Sequence, residues 1–208
     1  MELKEIPLFS HDGLSVSTLQ LVDNSLLNEN FFVFKRQQPG VTAEQRLPDG
    51  VRDSEATFML LKVIYDSQPN KDDFISALAY RSLHKQNQAL TDKEVQVFVV
   101  SVQTPSQETR EKFGYRNMRY SGVYESQESL LTGVPLISLN ELSDEPYNAV
   151  FKCFASQTEV RKKAYEIFEK QSYSKSISVP LKLFLKELSQ VEGEYTRFSP
   201  EQFMKGEN

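Results

Sequence analysis

Three apolar runs set the frame of this chain. "ATFMLLKVIY" at 56–65 is too short and too uniformly apolar for an exposed helix, and it reads as a central strand covered on both faces. "EVQVFVVSVQ" at 94–103, rich in β-branched residues, predicts a second such strand, and "VPLISL" at 134–139 a third. Between the first two, "NKDDFISALAYRSLHKQNQ" predicts an amphipathic helix over 72–86. There Ile75, Leu78, Ala79, Ser82 and Leu83 share one face, and Asp72 or Asp73 caps the start. "TPSQETREKFG" predicts a short helix opened by Thr104, with Pro105 at its first position and Gly114 closing it. "MRYSGVYES" is a short strand candidate, and "SDEPYNAVFKCFAS" predicts a helix capped by Ser143 or Asp144.

Upstream, "LSVSTLQLV" at 14–22 and "FFVFK" at 31–35 have strand character, and the polar, Pro/Gly-marked stretch "RQQPGVTAEQRLPDGVRDSE" reads as a loop. Downstream, Val160, Ala164, Ile167 and Phe168 share a helical face, as do Leu181, Phe184, Leu185 and Leu188. Strands that alternate with helices imply crossovers long enough to join parallel neighbours. The expectation is therefore a single α/β domain over 1–208, with a mixed, partly parallel central sheet flanked by helices. Within it, 1–50 supply N-terminal strands and a loop, 51–156 the core, and 157–208 a helical C-terminal extension.

Composition narrows the function classes. A net charge of -5 and a pI near 5.2 argue against a surface devoted as a whole to polyanions. One cysteine, Cys153, excludes an intrachain disulfide, and with only His11 and His84 a Cys/His zinc site is not expected. Cys153 stands among apolar neighbours in "AVFKCFAS" and reads as a small core residue rather than a nucleophile. The start "MELKEIPLF" lacks the apolar centre of a secretion signal and no run is long enough to span a bilayer, so a cytoplasmic protein with no membrane partner is expected. GxGxxG, GxxxxGK[ST] and GxSxG are all absent, which argues against dinucleotide, P-loop and α/β-hydrolase chemistry.

One position breaks the apolar pattern. If 56–65 is a strand, Phe58, Leu60, Lys62 and Ile64 point to one face and Met59, Leu61, Val63 and Tyr65 to the other. Lys62 then carries an ammonium into the core, where it must reach a carboxylate, snorkel to an edge or serve chemistry. Asp53, Glu55 and Asp66 are the nearest acids in sequence. The segment "LPDGVRDSEATFMLLKVIYDSQ", with a helix following at once, resembles the PD-(D/E)xK nuclease superfamily, especially its bacterial transposase-like and recombination-associated branch.

That resemblance implies a restriction-endonuclease-like fold, Mg²⁺ as cofactor and DNA as partner. Lys62 matches the motif lysine, Asp53 or Asp49 the first acid, and Glu55 a displaced second acid. Asp53 and Glu55 would be the metal ligands and Lys62 would position the attacking water. Asp49, in Pro-Asp-Gly, has a turn role as its simpler reading. The motif's second acid should stand at position 60, which here is Leu60. A leucine offers no hard oxygen to Mg²⁺, so the expected protein is nuclease-like but impaired or inactive. The alternative is a non-enzymatic binding, scaffolding or oligomerisation module, with a homodimer formed through the C-terminal helices.

For nucleic acid, Arg110, Lys112, Arg116 and Arg119 interleave with Phe113, Tyr115 and Tyr120 in "REKFGYRNMRY", a mixture able to contact backbone and stack on bases. Glu108 and Glu111 dilute it. In "RKKAYEIFEK", Arg161, Lys162 and Lys163 sit at helical spacing from Glu166 and Glu169 and read as an exposed, ion-paired face.

Overall fold

A computed structural model describes residues 4–5, 17–21, 31–35, 49–51, 54–65, 67–176 and 179–192. The strands are β1 (Lys4–Glu5), β2 (Ser17–Leu21), β3 (Phe31–Lys35), β4 (Phe58–Ile64), β5 (Val95–Ser101), β6 (Tyr115–Asn117), β7 (Val123–Ser126) and β8 (Leu136–Ser138). They form one eight-stranded sheet in the order β1-β2-β3-β4-β5-β8-β7-β6. The centre is parallel: β4 pairs with β5 and β5 with β8, so that Ile64, Ser101 and Ser138 share one end. Both flanks are antiparallel. The runs expected at 56–65, 94–103 and 134–139 thus share one mixed, partly parallel α/β sheet. Among the described residues no helix is long and apolar enough to cross a membrane.

The helices are α1 (Lys71–Gln88), α2 (Gln107–Lys112), α3 (Ala149–Lys152), α4 (Thr158–Glu169) and α5 (Val179–Gln190). The two faces of β4 divide as its alternation dictates. Leu60 and Ile64 join Val95, Val97, Val99 and Leu136 under Phe74, Ala77 and Tyr80 of α1. Met59 and Leu61 join Phe98, Val100 and Ile137 on the other face, beneath Leu142 and Ala155. A third cluster, with Cys153, Ala164, Phe168 and Leu185, ties α3, α4 and α5 together.

The expected core face of α1 is corrected. Ile75 and Leu83 are 45% and 41% exposed, while Phe74, Ser76, Ala77 and Tyr80 turn inward. Aromatic area outweighs aliphatic area here: Phe74 packs on Phe113 (4.8 Å between ring centroids) and Tyr115 (5.3 Å), and a large ring removes more apolar surface from water. The caps shift as well. Asn70, not Asp72 or Asp73, caps α1, with its Oδ1 accepting from Asp72 N at 2.8 Å. Ser106, not Thr104, caps α2 and accepts from Thr109 N at 3.1 Å. Neither Ser143 nor Asp144 caps a helix; the segment enters a 3₁₀ turn at Pro146–Asn148, its N-cap Glu145 making no side-chain cap bond, and continues into α3. "MRYSGVYES" is not one strand, because β6 ends at Asn117 and β7 begins at Val123. At Gly122 (φ +75°) a Cβ would lie 2.6 Å from Leu142 N, so this turn accepts no side chain.

The reading of "RKKAYEIFEK" also changes. Arg161 is fully buried, with Nε donating to Leu188 O at 3.0 Å, Nη1 to Ala155 O at 2.9 Å and Nη2 to Val191 O at 2.6 Å. A guanidinium has five donors in a fixed fork, which lets one side chain cap the carbonyl end of α5 and the turn before α4 together. Lys162 pairs with Glu159 at 3.3 Å and Lys163 pairs with Asp144, rather than with Glu166 or Glu169. Arg161→Ala leaves several buried carbonyls unmet and is expected to cost about 3 kcal/mol in a urea melt. Arg161→Lys should recover less than half of that loss, because an ammonium cannot span the same acceptors.

Candidate functional site

Lys62 lies on the α1 side of β4 and is 3% exposed. Its Nζ is 3.2 Å from Asp73 Oδ1 and donates to Ser76 Oγ at 2.8 Å. Asp73 serves two groups, since its Oδ2 also accepts from Asn70 N at 2.8 Å and completes the capping box of α1. Ser76 passes the chain of bonds on, donating to Asp73 O at 2.9 Å. The first turn of α1 is thus built around the cation. The acid that meets Lys62 comes from the helix and not from Glu55, which is exposed. Asp53 and Asp66 lie outside the described residues. Leu60, two positions before the lysine and on the same face, is fully buried against apolar neighbours.

Asp49, the alternative first acid, is buried and held from far along the chain. Its backbone N donates to Asn148 Oδ1 at 2.9 Å, and its Oδ2 accepts from Asn148 Nδ2 at 2.9 Å and Ser143 Oγ at 3.1 Å. Its turn role is thus combined with a clasp onto the segment leading into α3. Beside it Lys152, also buried, donates to Leu142 O at 2.7 Å and pairs with Asp144. Two lysines on Asp144 hold its carboxyl below the usual range against the opposing effect of burial, the largest single influence on it. Among the described residues no group of three or more His, Cys, Asp or Glu gathers to hold a metal ion.

In open α/β sheets ligands bind beyond the carboxyl ends of parallel strands. Here side chains bridge that edge. Gln68 after β4 donates to Thr104 O at 3.1 Å and accepts from Ser106 N at 2.6 Å. Asn140 after β8 donates to Thr104 Oγ1 at 3.2 Å and Ser156 Oγ at 2.9 Å and accepts from Gln157 N at 3.1 Å. These amides stitch the three loops to one another, a structural use of polar groups at a place where catalytic ones are often found.

The basic stretch divides in two. Arg110 turns inward, with Nη1 donating to Tyr124 OH at 2.7 Å and lying 3.8 Å from Glu141 Oε1, and its guanidinium sits 5.0 Å from the Tyr124 ring centre. Burial first, and then Glu141, push the Tyr124 phenol up, so it stays neutral and can bridge the two charges. Lys112, Arg116 and Arg119 are exposed. Lys112 and Arg119 lie over the rings of Phe113 (5.5 Å) and Tyr120 (5.2 Å), and Arg116 stands opposite Glu125 in the β6–β7 pairing. A carboxylate directly across the ladder removes much of Arg116's pull on a phosphate.

Sequence reasoning missed Asp73 as the partner of Lys62, and also Asn148, Lys152 and Arg161. The signal for Asp73 was present: an acid at the third helical position that could cap could equally face the sheet. Cys153 is fully buried and burial pushes its thiol up to about 12. Comparison of the chain with family models, with curated proteins and with solved structures finds no match.

Two outcomes follow from these contacts. Asp73→Asn replaces the carboxylate beside the buried ammonium with a neutral amide and is expected to cost about 3 kcal/mol, whereas Lys62→Met, which removes the cation itself, should cost under about 1.5 kcal/mol; chemical denaturation of both variants checks this asymmetry. With so high a pKa, Cys153 should react with a thiol reagent at pH 7 about a thousandfold more slowly in the native protein than in the unfolded chain.

Proposed function

We propose that this chain is a nuclease-like α/β module that does not cleave DNA, its motif lysine serving the fold instead of a metal-bound water. The observation that carries this reading is the Lys62 ammonium held by Asp73 and Ser76 while Leu60, on the same strand face, presents no carboxylate. Hydrolysis of a phosphodiester by Mg²⁺ needs hard oxygen ligands that replace part of the ion's water shell and lower the pKa of what remains. Among the described residues, position 60 supplies a leucine in place of the second acid and Lys62 is engaged by Asp73 and Ser76, which supports a lysine that does not orient water.

The restriction-endonuclease-like layout is supported by the arrangement around β4: antiparallel β2 and β3 lead to the lysine strand, and a helix follows it and crosses to parallel β5. Association with DNA rests chiefly on Lys112 and Arg119, exposed members of the basic stretch, with Arg116 weakened by Glu125 across the ladder. A non-enzymatic binding module is the companion reading, favoured by the stitched strand ends.

Incubation of linear and supercoiled DNA with Mg²⁺ or Mn²⁺ tests the proposal. The natural protein and Leu60→Glu are expected to leave both substrates intact, because in the second variant Asp73 still holds Lys62. Cleavage by the natural protein that Lys62→Met abolishes would overturn the reading.

A further inference from the structure

His84 stands in the last turns of α1, at the seam between that helix and the sheet. Its ring meets Phe58 of β4 edge-on at 5.2 Å between centroids and Tyr80 of α1 at 6.3 Å. Its Nε2 is buried and makes no hydrogen bond. A neutral imidazole tolerates this, because Nε2 can be the unprotonated nitrogen; an imidazolium cannot, since both nitrogens then carry protons that need acceptors.

The charges around the ring offer no relief. From α1 itself come Arg81, whose Nε donates to Val95 O at 2.9 Å and Nη2 to Asp92 O at 3.0 Å, and Lys85, paired with Asp92. Tyr80 stays neutral, its phenol pushed up to about 12 by burial. From the turn before β5, Asp92 is taken by Lys85 and Arg81, and Glu94 accepts from Thr91 N at 2.8 Å and Thr91 Oγ1 at 2.7 Å; Lys93 in that turn is a further cation. On β4, Lys62 is held by Asp73 and Ser76, and Glu55, before the strand, is exposed. Among the described residues the acids near the seam are engaged elsewhere, and Lys93 adds a positive charge.

We propose that His84 is an acid-sensitive latch: taking up a proton drives its ring out from between Phe58 and Tyr80 and frees the C-terminal half of α1, residues 80–88, from the sheet. The N-terminal half stays fixed by the Asn70 cap and by Lys62, Asp73 and Ser76. Burial lowers the His84 pKa in the folded protein. Its contribution to stability is therefore fully present above the unfolded value of about 6.5 and is lost as the pH falls through the folded value. What opens is the apolar surface around Phe58, at the start of the interior strand β4, where α1 packs on the sheet.

The test is amide hydrogen exchange, corrected for intrinsic rates, at pH 7.5 and at steps down to 5.0. Protection of residues 80–88 should fall by up to about tenfold per pH unit once below 6.5, as expected for one linked proton, while 73–77 keep theirs. In His84→Phe the loss should vanish. Should that variant fold poorly, imidazole NMR of a His11→Gln protein, in which His84 is the remaining histidine, should give a midpoint below 6.5. An unchanged pH profile in His84→Phe, or a midpoint at or above 6.5, would overturn the proposal.

Discussion

Taking a lysine ammonium out of water costs several kcal/mol unless charge and hydrogen bonds replace what the solvent supplied. Lys62 imposes that requirement on a strand that is otherwise apolar, and the first turn of α1 answers it. Asp73 must sit over β4, Ser76 must point inward, and the helix must begin where Asn70 can share the Asp73 carboxylate. That rotation brings Phe74, Ala77 and Tyr80 onto the sheet and leaves Ile75 and Leu83 in solvent. Packing and electrostatics therefore agree on a face that the pattern of aliphatic residues does not reveal.

The same economy recurs elsewhere. Arg161 closes the end of α5 by donating to its carbonyls, Asp49 clasps Asn148 from 99 residues away along the chain, and Gln68 and Asn140 bridge the loops beyond the parallel strands. Each is a polar side chain of a kind that chemistry uses, and each is occupied in holding the fold. These occupied side chains are what support the proposal of a nuclease-like layout without nuclease chemistry.

How much of this was legible follows from the range of each signal. The strands and the two faces of β4 could be read because side-chain alternation has a period of two and the core lies on both sides. The positions of the caps could be read only to within a few residues, since Asn70 and Asp73, or Thr104 and Ser106, are chemically interchangeable as oxygen acceptors. Contacts between distant segments were not legible: nothing local distinguishes Asp49 as a clasp from Asp49 as a turn residue, or Arg161 as a buried cap from Arg161 as one of three solvated cations. Lys62 was visibly anomalous, but its partner lay on the next element, where spacing along the strand carries no information.

Whether Lys62 is held as described can be observed at the ammonium itself. In a ¹⁵N-lysine spectrum at neutral pH, exposed ammonium groups exchange with water too fast to be seen, whereas one buried on a carboxylate and a hydroxyl exchanges slowly. The account predicts a resolved Lys62 signal that Asp73→Asn weakens or removes and that added Mg²⁺ does not shift. A Lys62 ammonium that exchanges as freely as surface lysines, or one that responds to Mg²⁺, would contradict it.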